Sequence, residues 1–303
     1  MSDSPVSKTI QGSADQPPPG RPREIEEQTN LYLVHPLSRA LAIRLVETPV
    51  TPNQVSVAGV FMAAAAGACY LSLTWPWAAP GGLLFQFAWH VLDGADGDLA
   101  RRTGRTSPIG ELVDGVCDHL SQAILYLALG WTLVRQIGPL AWALVAIAAL
   151  SHFVQANAYE TGRKSYRRWV YGAGWLRSTL ATVERKGAVQ GALGRLYLSV
   201  SDITSPGEDG VEGAMESALA DGGVESAEAR SEYAKLFAPL VRSSSWLSGN
   251  TRTLAVFLSM MAGSAAWYFL FETTVLNLVL VRIIILRRRR NAALVEALAA
   301  HMA

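Results

Sequence analysis

The chain has one long stretch without a charged side chain, from Thr48 to Leu92, and this stretch constrains the fold more than any other feature. It contains no Asp, Glu, Lys or Arg. A bilayer requires about 20 apolar residues per helix, so the stretch predicts two membrane-spanning helices around a break at residues 75–82. The composition agrees, because apolar residues make up 50% of the chain.

Four further apolar runs extend this pattern, and we predict an all-α, polytopic membrane protein of about six transmembrane helices. The runs are Leu112–Val134, Gly138–Tyr159, Thr251–Phe271 and Val275–Leu286, of which the last is short and carries Arg282. The net charge is only +1, which excludes a strongly basic nucleic-acid-binding surface. Because six is an even number of spans, both termini of this integral membrane protein are predicted to lie on the same side of the membrane.

The basic residues between these runs predict the orientation. Three clusters fall on one side of the predicted membrane, namely Arg101 to Arg105, Arg163 to Arg168 and Arg287 to Arg290, while Arg135 falls opposite. Under the positive-inside rule, the side with the clusters is cytoplasmic. We therefore expect a bacterial-type inner membrane or an equivalent bilayer, with the site described below facing the cytoplasm.

The segments outside the spans predict three further regions. Residues 1–29 are rich in Pro, Ser and charge and predict a disordered cytoplasmic tail. Residues 30–48 predict a juxtamembrane amphipathic helix, with Leu37, Leu41 and Leu45 on one stripe and Arg39 and Arg44 off it. That helix either lines the access route of a substrate or attaches to acidic lipid head groups.

Residues 49–303 are then predicted to form one transmembrane domain with a cytoplasmic insertion at about 165–250. Within the insertion, an amphipathic helix is expected near Leu180–Val200. The passage at 205–213 is rich in Gly and Glu, and we expect it to be mobile.

Four aspartates lie at the cytoplasmic end of the second and third spans and form two pairs. Asp93 and Asp96 share one helical face with Ala100 and Arg101, while Asp114 and Asp118 share a face with Gly110. Residues 102–108 between the pairs predict a tight turn, with Ser107 as N-cap and Pro108 as the first helical residue. A helical hairpin therefore brings the two acidic faces together.

Four carboxylates in close quarters repel one another unless a cation compensates, and their hard oxygens suit Mg²⁺ or Mn²⁺. The number of ligands suits two ions, a centre that typically handles phosphoryl chemistry. A membrane cation transporter would also place carboxylates in a cavity. Arg101 beside the ligands, with Gly97 and Ser107, favours the enzyme because an arginine repels a transported cation but binds a phosphate.

The spacing of these residues resembles the signature of the CDP-alcohol phosphotransferase family. It reads Asp-x-x-Asp-Gly-x-x-Ala-Arg, eight residues, then Gly-x-x-x-Asp-x-x-x-Asp. Thr51, Pro52 and Asn53 at the start of the first span also resemble the family. The sequence around residues 100–103 and 107–112 looks closest to the choline and ethanolamine phosphotransferases, but Gly115 stands where those enzymes usually carry His, with His119 nearby.

The resemblance implies a role for each matched residue. Asp93, Asp96, Asp114 and Asp118 would bind two Mg²⁺ or Mn²⁺ ions, and Asp118 would also act as general base on the acceptor hydroxyl. A CDP-linked nucleotide would be surrounded by a second group of residues: Gly97, Ala100, Arg101, Ser107, Pro52 and Asn53. The family also implies a homodimer in the bilayer and a transferase of substituted phosphate groups that releases CMP in phospholipid biosynthesis.

Two substrate assignments share this signature. A CDP-aminoalcohol could donate to the hydroxyl of a diacylglycerol-type lipid, and the match at residues 107–112 favours this reading. Alternatively, CDP-diacylglycerol could donate to a soluble alcohol such as inositol phosphate or glycerol phosphate. Gly115 favours the second reading, as does the basic cluster Arg163–Arg168, which could hold an acceptor phosphate. Glu160 is a further candidate for contact with the acceptor. Positive-inside anchoring explains the same basic residues without any acceptor.

Overall fold

The computed structural model describes residues 22–72, 74–173, 199–220 and 223–302, and these residues form helices without a β-strand. Residues 1–21 of the predicted tail and nearly all of the helix predicted near Leu180–Val200 lie outside the described residues. The principal helices are α1 His35–Leu45, α2 Pro52–Ser72, α3 Ala78–Thr103, α4 Pro108–Ile137, α5 Ala141–Tyr171, α6 Glu208–Leu219, α7 Val224–Ser243, α8 Gly249–Met261, α9 Ala266–Thr273 and α10 Val275–Met302.

The chain divides into two compact units, each of which is described by itself. The aspartate unit comprises Glu27–Ser151 and Gly249–Val275, and the second unit comprises Met1–Glu26, His152–Ser248 and Leu276–Ala303. All four aspartates of the motif lie in the first of these. The insertion predicted at 165–250 falls almost entirely within the second.

Small residues on α2 bring it close to both helices that carry the aspartates. A Cβ at Gly59 would lie 3.1 Å from the ring of Trp89 on α3, and a Cβ at Gly67 would lie 3.1 Å from the Cβ of Ala128 on α4. Ala63 and Ala66, on the same stripe, are fully buried. Because larger side chains would push the helices apart, this stripe of small residues determines the tight three-helix packing.

The predicted juxtamembrane helix is present as α1, which follows a single π-helical turn at Asn30–Val34. Its inward face is not the leucine stripe alone: Ser38 and Ala42 are buried, and the Ser38 hydroxyl donates to the carbonyl oxygen of Val91 on α3 at 2.9 Å. Leu37, by contrast, is 45% exposed. The helix therefore packs on α3 through small residues and leaves larger apolar side chains on its outer face.

The single span predicted over Thr251–Phe271 is wrong, because the chain turns between α8 and α9. Gly263 has a φ of 84°, in the left-handed region that interrupts a helix. The side chain of Gln136 holds the turn: its Nε2 donates to the Gly263 carbonyl at 3.0 Å, and its Oε1 accepts from the Ser264 hydroxyl at 2.5 Å. An apolar run alone did not indicate this break, since its glycine and serine are compatible with a membrane helix.

Within the described part of the chain, three helical segments are long and apolar enough to cross a membrane by length and composition: Pro52–Ser72, Ala141–Tyr171 and Ala266–Ala300. Large apolar side chains are exposed on them, including Phe61 and Leu150 at 66% and 67%. Exposure on this scale is typical of surfaces that face lipid. The chain is an integral membrane protein, as predicted, while the count of six spans stays a prediction because α3 and α4 carry the charged residues of the site.

The end of the predicted tail is ordered in the second unit. Residues Arg23–Ile25 form a 3-10 turn, and Ile25 is only 2% exposed. Glu24 accepts hydrogen bonds from the hydroxyls of Tyr166 and Tyr171, and its carbonyl oxygen accepts from Arg242 at 2.7 Å. The prediction of disorder is therefore wrong for residues 22–29, since buried contacts over more than a hundred residues of sequence hold this turn.

The passage at 205–213, predicted to be mobile, contains the start of α6. Val211 and Met215 of this helix are fully buried. The acidic residues that suggested mobility instead pair with basic ones: Arg168 binds Glu212 at 2.7 Å and Glu216 at 2.9 Å. Charge pairing and two apolar contacts therefore make this passage part of a folded unit.

Two arginines of the run at 287–290 make contacts inside the second unit, while Arg288 and Arg289 are exposed. Arg287 is 4% exposed, donates to the Ser205 hydroxyl at 2.8 Å and lies 3.8 Å from a carboxylate oxygen of Glu208. Arg290 donates to the carbonyl oxygen of Leu236 at 2.8 Å. Both side chains thus join α10 to neighbouring elements of the same unit.

Candidate active site

The start of α2 is the first of three helix ends that build the site. The backbone N–H of Gln54 donates to the Thr51 hydroxyl at 3.4 Å, and the Gln54 side chain accepts from the Thr51 N–H at 2.9 Å. This reciprocal pair is a capping box, and Pro52 occupies the first helical position, where its missing N–H is not needed. The cap fixes the start of α2 and so places Asn53 and Ser56 in its opening turns.

The turn between α3 and α4 supplies the other two helix ends. The turn residue Gly104 follows α3 with a φ of 64°, in the left-handed region that favours glycine. α4 follows Ser107, whose hydroxyl accepts a 3.0 Å hydrogen bond from the backbone N–H of Gly110. The predicted N-cap and helical hairpin are confirmed, although α3 continues through Thr103 and the turn is correspondingly shorter.

Three of the four predicted metal ligands converge within the aspartate unit. Asp93 on α3 and Asp114 and Asp118 on α4 each offer a carboxylate oxygen, and these oxygens all lie within 4.8 Å of one another. The three side chains are half-buried. Because such carboxylates repel one another and a cation would offset that repulsion, the donor set fits a hard divalent ion.

The fourth aspartate, Asp96, has a different environment. It is 4% exposed, and its two carboxylate oxygens accept hydrogen bonds from the Ser56 hydroxyl and from the backbone N–H of Gly97. Asp114 and Asp93 are the carboxylates that act on it electrostatically. Asp96 therefore belongs to the same cluster but is buried and oriented by two donors.

Arg101 lies at the exposed edge of the site and pairs with Asp98, three residues earlier on α3. Its side chain is 48% exposed, so the guanidinium can reach solvent and exchange partners. A Cβ at Gly97 would lie 3.3 Å from Nη1 of Arg101. A side chain larger than hydrogen at Gly97 would therefore meet the end of the Arg101 side chain.

Two residues predicted to surround a nucleotide lie together at the start of α4. A Cβ built on Gly110 would lie 3.3 Å from the Ser107 hydroxyl and 3.7 Å from Oδ1 of Asn53. Asn53 is exposed, and Ser107 is exposed as well. This places the polar end of α2 against the N-terminus of α4, where free N–H groups and the helix dipole favour an anion.

The remaining predicted nucleotide contacts, Pro52 and Ala100, are half-buried. The carbonyl oxygen of Pro52 lies 3.3 Å from the Ser56 hydroxyl oxygen, and that of Ala100 accepts from the N–H of Arg105 at 2.9 Å. His119 follows Asp118 but lies 2.6 Å from the Gly115 carbonyl oxygen of its own helix. This contact agrees with a ring that points away from the aspartates.

The predicted acceptor residues Glu160 and Arg163 belong to the second unit. Arg163 binds both carboxylate oxygens of Glu26, at 3.2 and 2.9 Å, and donates to the Tyr159 hydroxyl at 2.7 Å. Glu160 is exposed. The guanidinium of Arg163 is therefore already engaged by a carboxylate, which is the chemistry that an acceptor phosphate would otherwise supply.

Sequence reasoning missed Ser56 altogether. It is one of two serines in an apolar helix, four residues after Pro52, and in isolation it is indistinguishable from a packing residue. Its position three residues after Asn53, on the side of α2 that starts at the polar cap, was the available signal. Asp98, which is not part of the aspartate motif, contacts Arg101.

Comparison with known proteins supports the reading of these residues. The family model for CDP-alcohol phosphatidyltransferase matches residues 49–182, which include α2, the hairpin and all four aspartates. Residues 49–182 are therefore similar to the CDP-alcohol phosphatidyltransferase family. No solved structure matches the chain at a significant level.

Individual relatives of the domain are similar over shorter regions. An uncharacterized CDP-alcohol phosphatidyltransferase class-I family protein 2 of Dictyostelium discoideum is 49% identical over 53 residues, 18% of this chain and 12% of that protein. A bifunctional IPC transferase and DIPP synthase of Thermococcus kodakarensis is 33% identical over 130 residues, 42% and 28% of the two chains. Ethanolaminephosphotransferase 1 of Mus musculus is 31% identical over 108 residues, which are 30% of this chain and 26% of that protein. The chain thus spans less than a third of the length of each of these three relatives.

The match to the CDP-alcohol phosphatidyltransferase family and the apolar helices together support a membrane-embedded protein, and its acidic site can hold a divalent cation. The residues present fit such an ion, because three converging carboxylates supply the hard oxygen ligands that it requires. The identity and number of ions belong to the proposal below.

Proposed function

We propose that the aspartate unit is a phosphotransferase that moves a substituted phosphate from a CDP-linked alcohol to an acceptor hydroxyl and releases CMP. The observation that carries the proposal is the convergence of Asp93, Asp114 and Asp118 within 4.8 Å, on the helical hairpin that the family match covers. With Asp96, these residues would hold two ions, Mg²⁺ or Mn²⁺. Such ions neutralise charge on phosphate oxygens.

The residues of the site have distinct tasks in this proposal. Asp118 accepts the proton of the acceptor hydroxyl, whose oxygen then forms a bond to phosphorus as the bond to the CMP oxygen breaks. Arg101 leaves Asp98 and contacts the phosphate oxygens, where its planar guanidinium can bind two at once. Asn53 and Ser107 border the nucleotide together with Gly97, whose missing side chain leaves room for it.

The substrate pair that we propose first is a CDP-aminoalcohol donor and a diacylglycerol-type acceptor. Similarity to a protein named ethanolaminephosphotransferase supports this assignment. Arg163 already pairs with Glu26, and this pairing argues against the binding of an acceptor phosphate at the basic cluster. The second candidate, transfer from CDP-diacylglycerol to a soluble phosphorylated alcohol, is favoured by similarity to the IPC transferase and DIPP synthase. A cation transporter is not favoured, because Arg101 lies beside the ligands.

We also propose that the site faces the cytoplasm and that the protein acts as a homodimer. The clusters of basic residues support the orientation through the positive-inside rule. Resemblance to the family supports the dimer.

The test is CMP release by the full-length protein in liposomes with Mg²⁺ or Mn²⁺. CDP-choline, CDP-ethanolamine and CDP-diacylglycerol are each crossed with diacylglycerol, inositol phosphate and glycerol phosphate. We expect release with an aminoalcohol donor and diacylglycerol, and none from an Asp118→Asn variant. Release only from CDP-diacylglycerol would establish the second candidate, and no release from any pair would contradict the proposed reaction.

A further inference from the structure

Asp96 stands apart from the three converging carboxylates because it is more deeply buried. A buried carboxylate requires donors to compensate for the loss of water. Asp96 has two: the Ser56 hydroxyl on one oxygen and the Gly97 N–H on the other. Each carboxylate oxygen offers two lone-pair directions, and the carboxylate also interacts with the side chain of Asp114. The two donors thus fix the plane of the carboxylate without using all of its lone pairs.

Ser56 is itself held in place from both ends. Its side chain lies on the buried stripe of α2, which the close contact of Gly59 with Trp89 fastens to α3. Its hydroxyl oxygen also lies 3.3 Å from the Pro52 carbonyl oxygen, one turn earlier. A hydroxyl has a single proton, and the much shorter contact with Asp96 shows where that proton goes.

We propose that Ser56 is a positioning residue of the metal centre: it orients the Asp96 carboxylate toward the divalent cations that the four aspartates bind. Groups that hydrogen-bond to metal ligands typically change metal affinity 10–100-fold when they are removed. This inference rests on the proposed metal centre but not on the identity of the donor or the acceptor. It adds to the site a residue from a third helix, α2, outside the acidic hairpin.

A purely structural role for Ser56 makes a different prediction. If the hydroxyl only helped α2 pack against α3, its removal would lower the stability of the metal-free protein and leave cation affinity unchanged. If the hydroxyl orients Asp96, its removal mainly lowers the affinity for the cation. Metal-free stability and metal affinity therefore have to be measured on the same variants.

The experiment measures Mn²⁺ binding to the purified full-length protein by electron paramagnetic resonance of the free ion, with the metal alone and no substrate. We expect Ser56→Ala to weaken Mn²⁺ binding about ten-fold or more. Ser56→Thr, which keeps a hydroxyl at the same carbon, should bind Mn²⁺ close to the wild-type affinity. Ser56→Cys is measured alongside because it keeps a side chain of similar size but donates a weaker hydrogen bond, and its affinity should lie between the two.

Ser121→Ala is the matched control. Ser121 is also a fully buried serine of a site helix, and its hydroxyl has no hydrogen-bond partner among the described residues. Its removal should leave both Mn²⁺ affinity and metal-free melting temperature unchanged.

An affinity of Ser56→Ala and Ser56→Cys within two-fold of wild type overturns the inference, whatever their melting temperatures. So does a Ser56→Thr variant as weak as Ser56→Ala, because the hydroxyl would then not be the relevant group. These readouts do not depend on turnover. A protein that binds Mn²⁺ in a Ser56-dependent way but releases no CMP would contradict the proposed reaction and leave the role of Ser56 standing.

Discussion

The guanidinium of Arg101 contacts the carboxylate of Asp98, one turn earlier on the same face of α3, at the exposed edge of the aspartate cluster. An exposed pair of this kind contributes little to stability. In the proposed reaction, Asp98 would therefore compete with a phosphate for Arg101 at small energetic cost. The pair holds the arginine near the site while allowing it to change partners.

Arg101→Ala should lower kcat/KM about 10²-fold, because the group that stabilises charge on the phosphate oxygens is lost. Asp98→Asn should change kcat/KM less than ten-fold, since it removes a competitor and not a phosphate contact. Initial rates of CMP release give both values. Equal losses in the two variants would mean that the pair acts as a unit and that Arg101 does not bind phosphate alone.

Gly97→Val should raise the KM for the CDP-linked donor roughly ten-fold, or about 1.4 kcal/mol. The added side chain would meet the flexible end of Arg101, which can move, so folding should be little affected. Donor titration and thermal unfolding are measured together, with Gly213→Val as the control on an exposed part of α6, where a Cβ meets no atom within 4 Å. An unchanged KM would remove Gly97 from the nucleotide site.

Arg163→Ala should destabilise the protein by about 3 kcal/mol, because it leaves the fully buried carboxylate of Glu26 without its ion-pair partner. Glu26→Gln should have a smaller effect in the same direction. Thermal unfolding in detergent measures the loss. We expect the ratio of activities with phosphorylated and unphosphorylated acceptors to stay the same, and a selective loss of the phosphorylated acceptor would restore Arg163 and Glu160 as acceptor residues.

Glu272→Ala should be more destabilising than the loss of any exposed ion pair. Glu272 is fully buried and accepts a 3.1 Å hydrogen bond from Nε of Arg252, which is itself 4% exposed. Breaking a buried pair leaves an uncompensated charge, at a cost of about 3–5 kcal/mol. Lys235→Ala, which removes an exposed pair with Glu232, is the control and should leave the melting temperature nearly unchanged. Similar melting temperatures for the two variants would mean that the buried pair contributes no more than an exposed one.

The parts of the fold that the sequence predicts well are those determined locally. The turn after α3, the Ser107 cap and the periodicity that places Asp93, Asp114 and Asp118 together all depend on residues within one hairpin. Helix geometry alone is enough to relate them. This is why three of the predicted ligands converge.

The parts that the sequence does not predict depend on distant partners. Arg163 and Glu26 are 137 positions apart, and nothing in either neighbourhood indicates the other. The same is true of Ser56 and Asp96, 40 positions apart, and of Gln136, which holds the turn at Gly263. From composition alone, the acidic segment of the second unit is predicted to be mobile and the basic segments to anchor the chain. Composition cannot show which acidic and basic side chains form ion pairs in the fold.

The most direct test of the whole account is the metal dependence of CMP release with the donor and acceptor pair proposed above. Mg²⁺ is titrated into wild type, Asp114→Asn and the exposed acidic control Glu47→Gln. We predict no release without metal, saturable activation of wild type and of Glu47→Gln, and loss of at least about 10²-fold in Asp114→Asn. Release that persists in a chelator, or an Asp114→Asn variant with wild-type activity, would contradict a catalytic metal centre at the four aspartates.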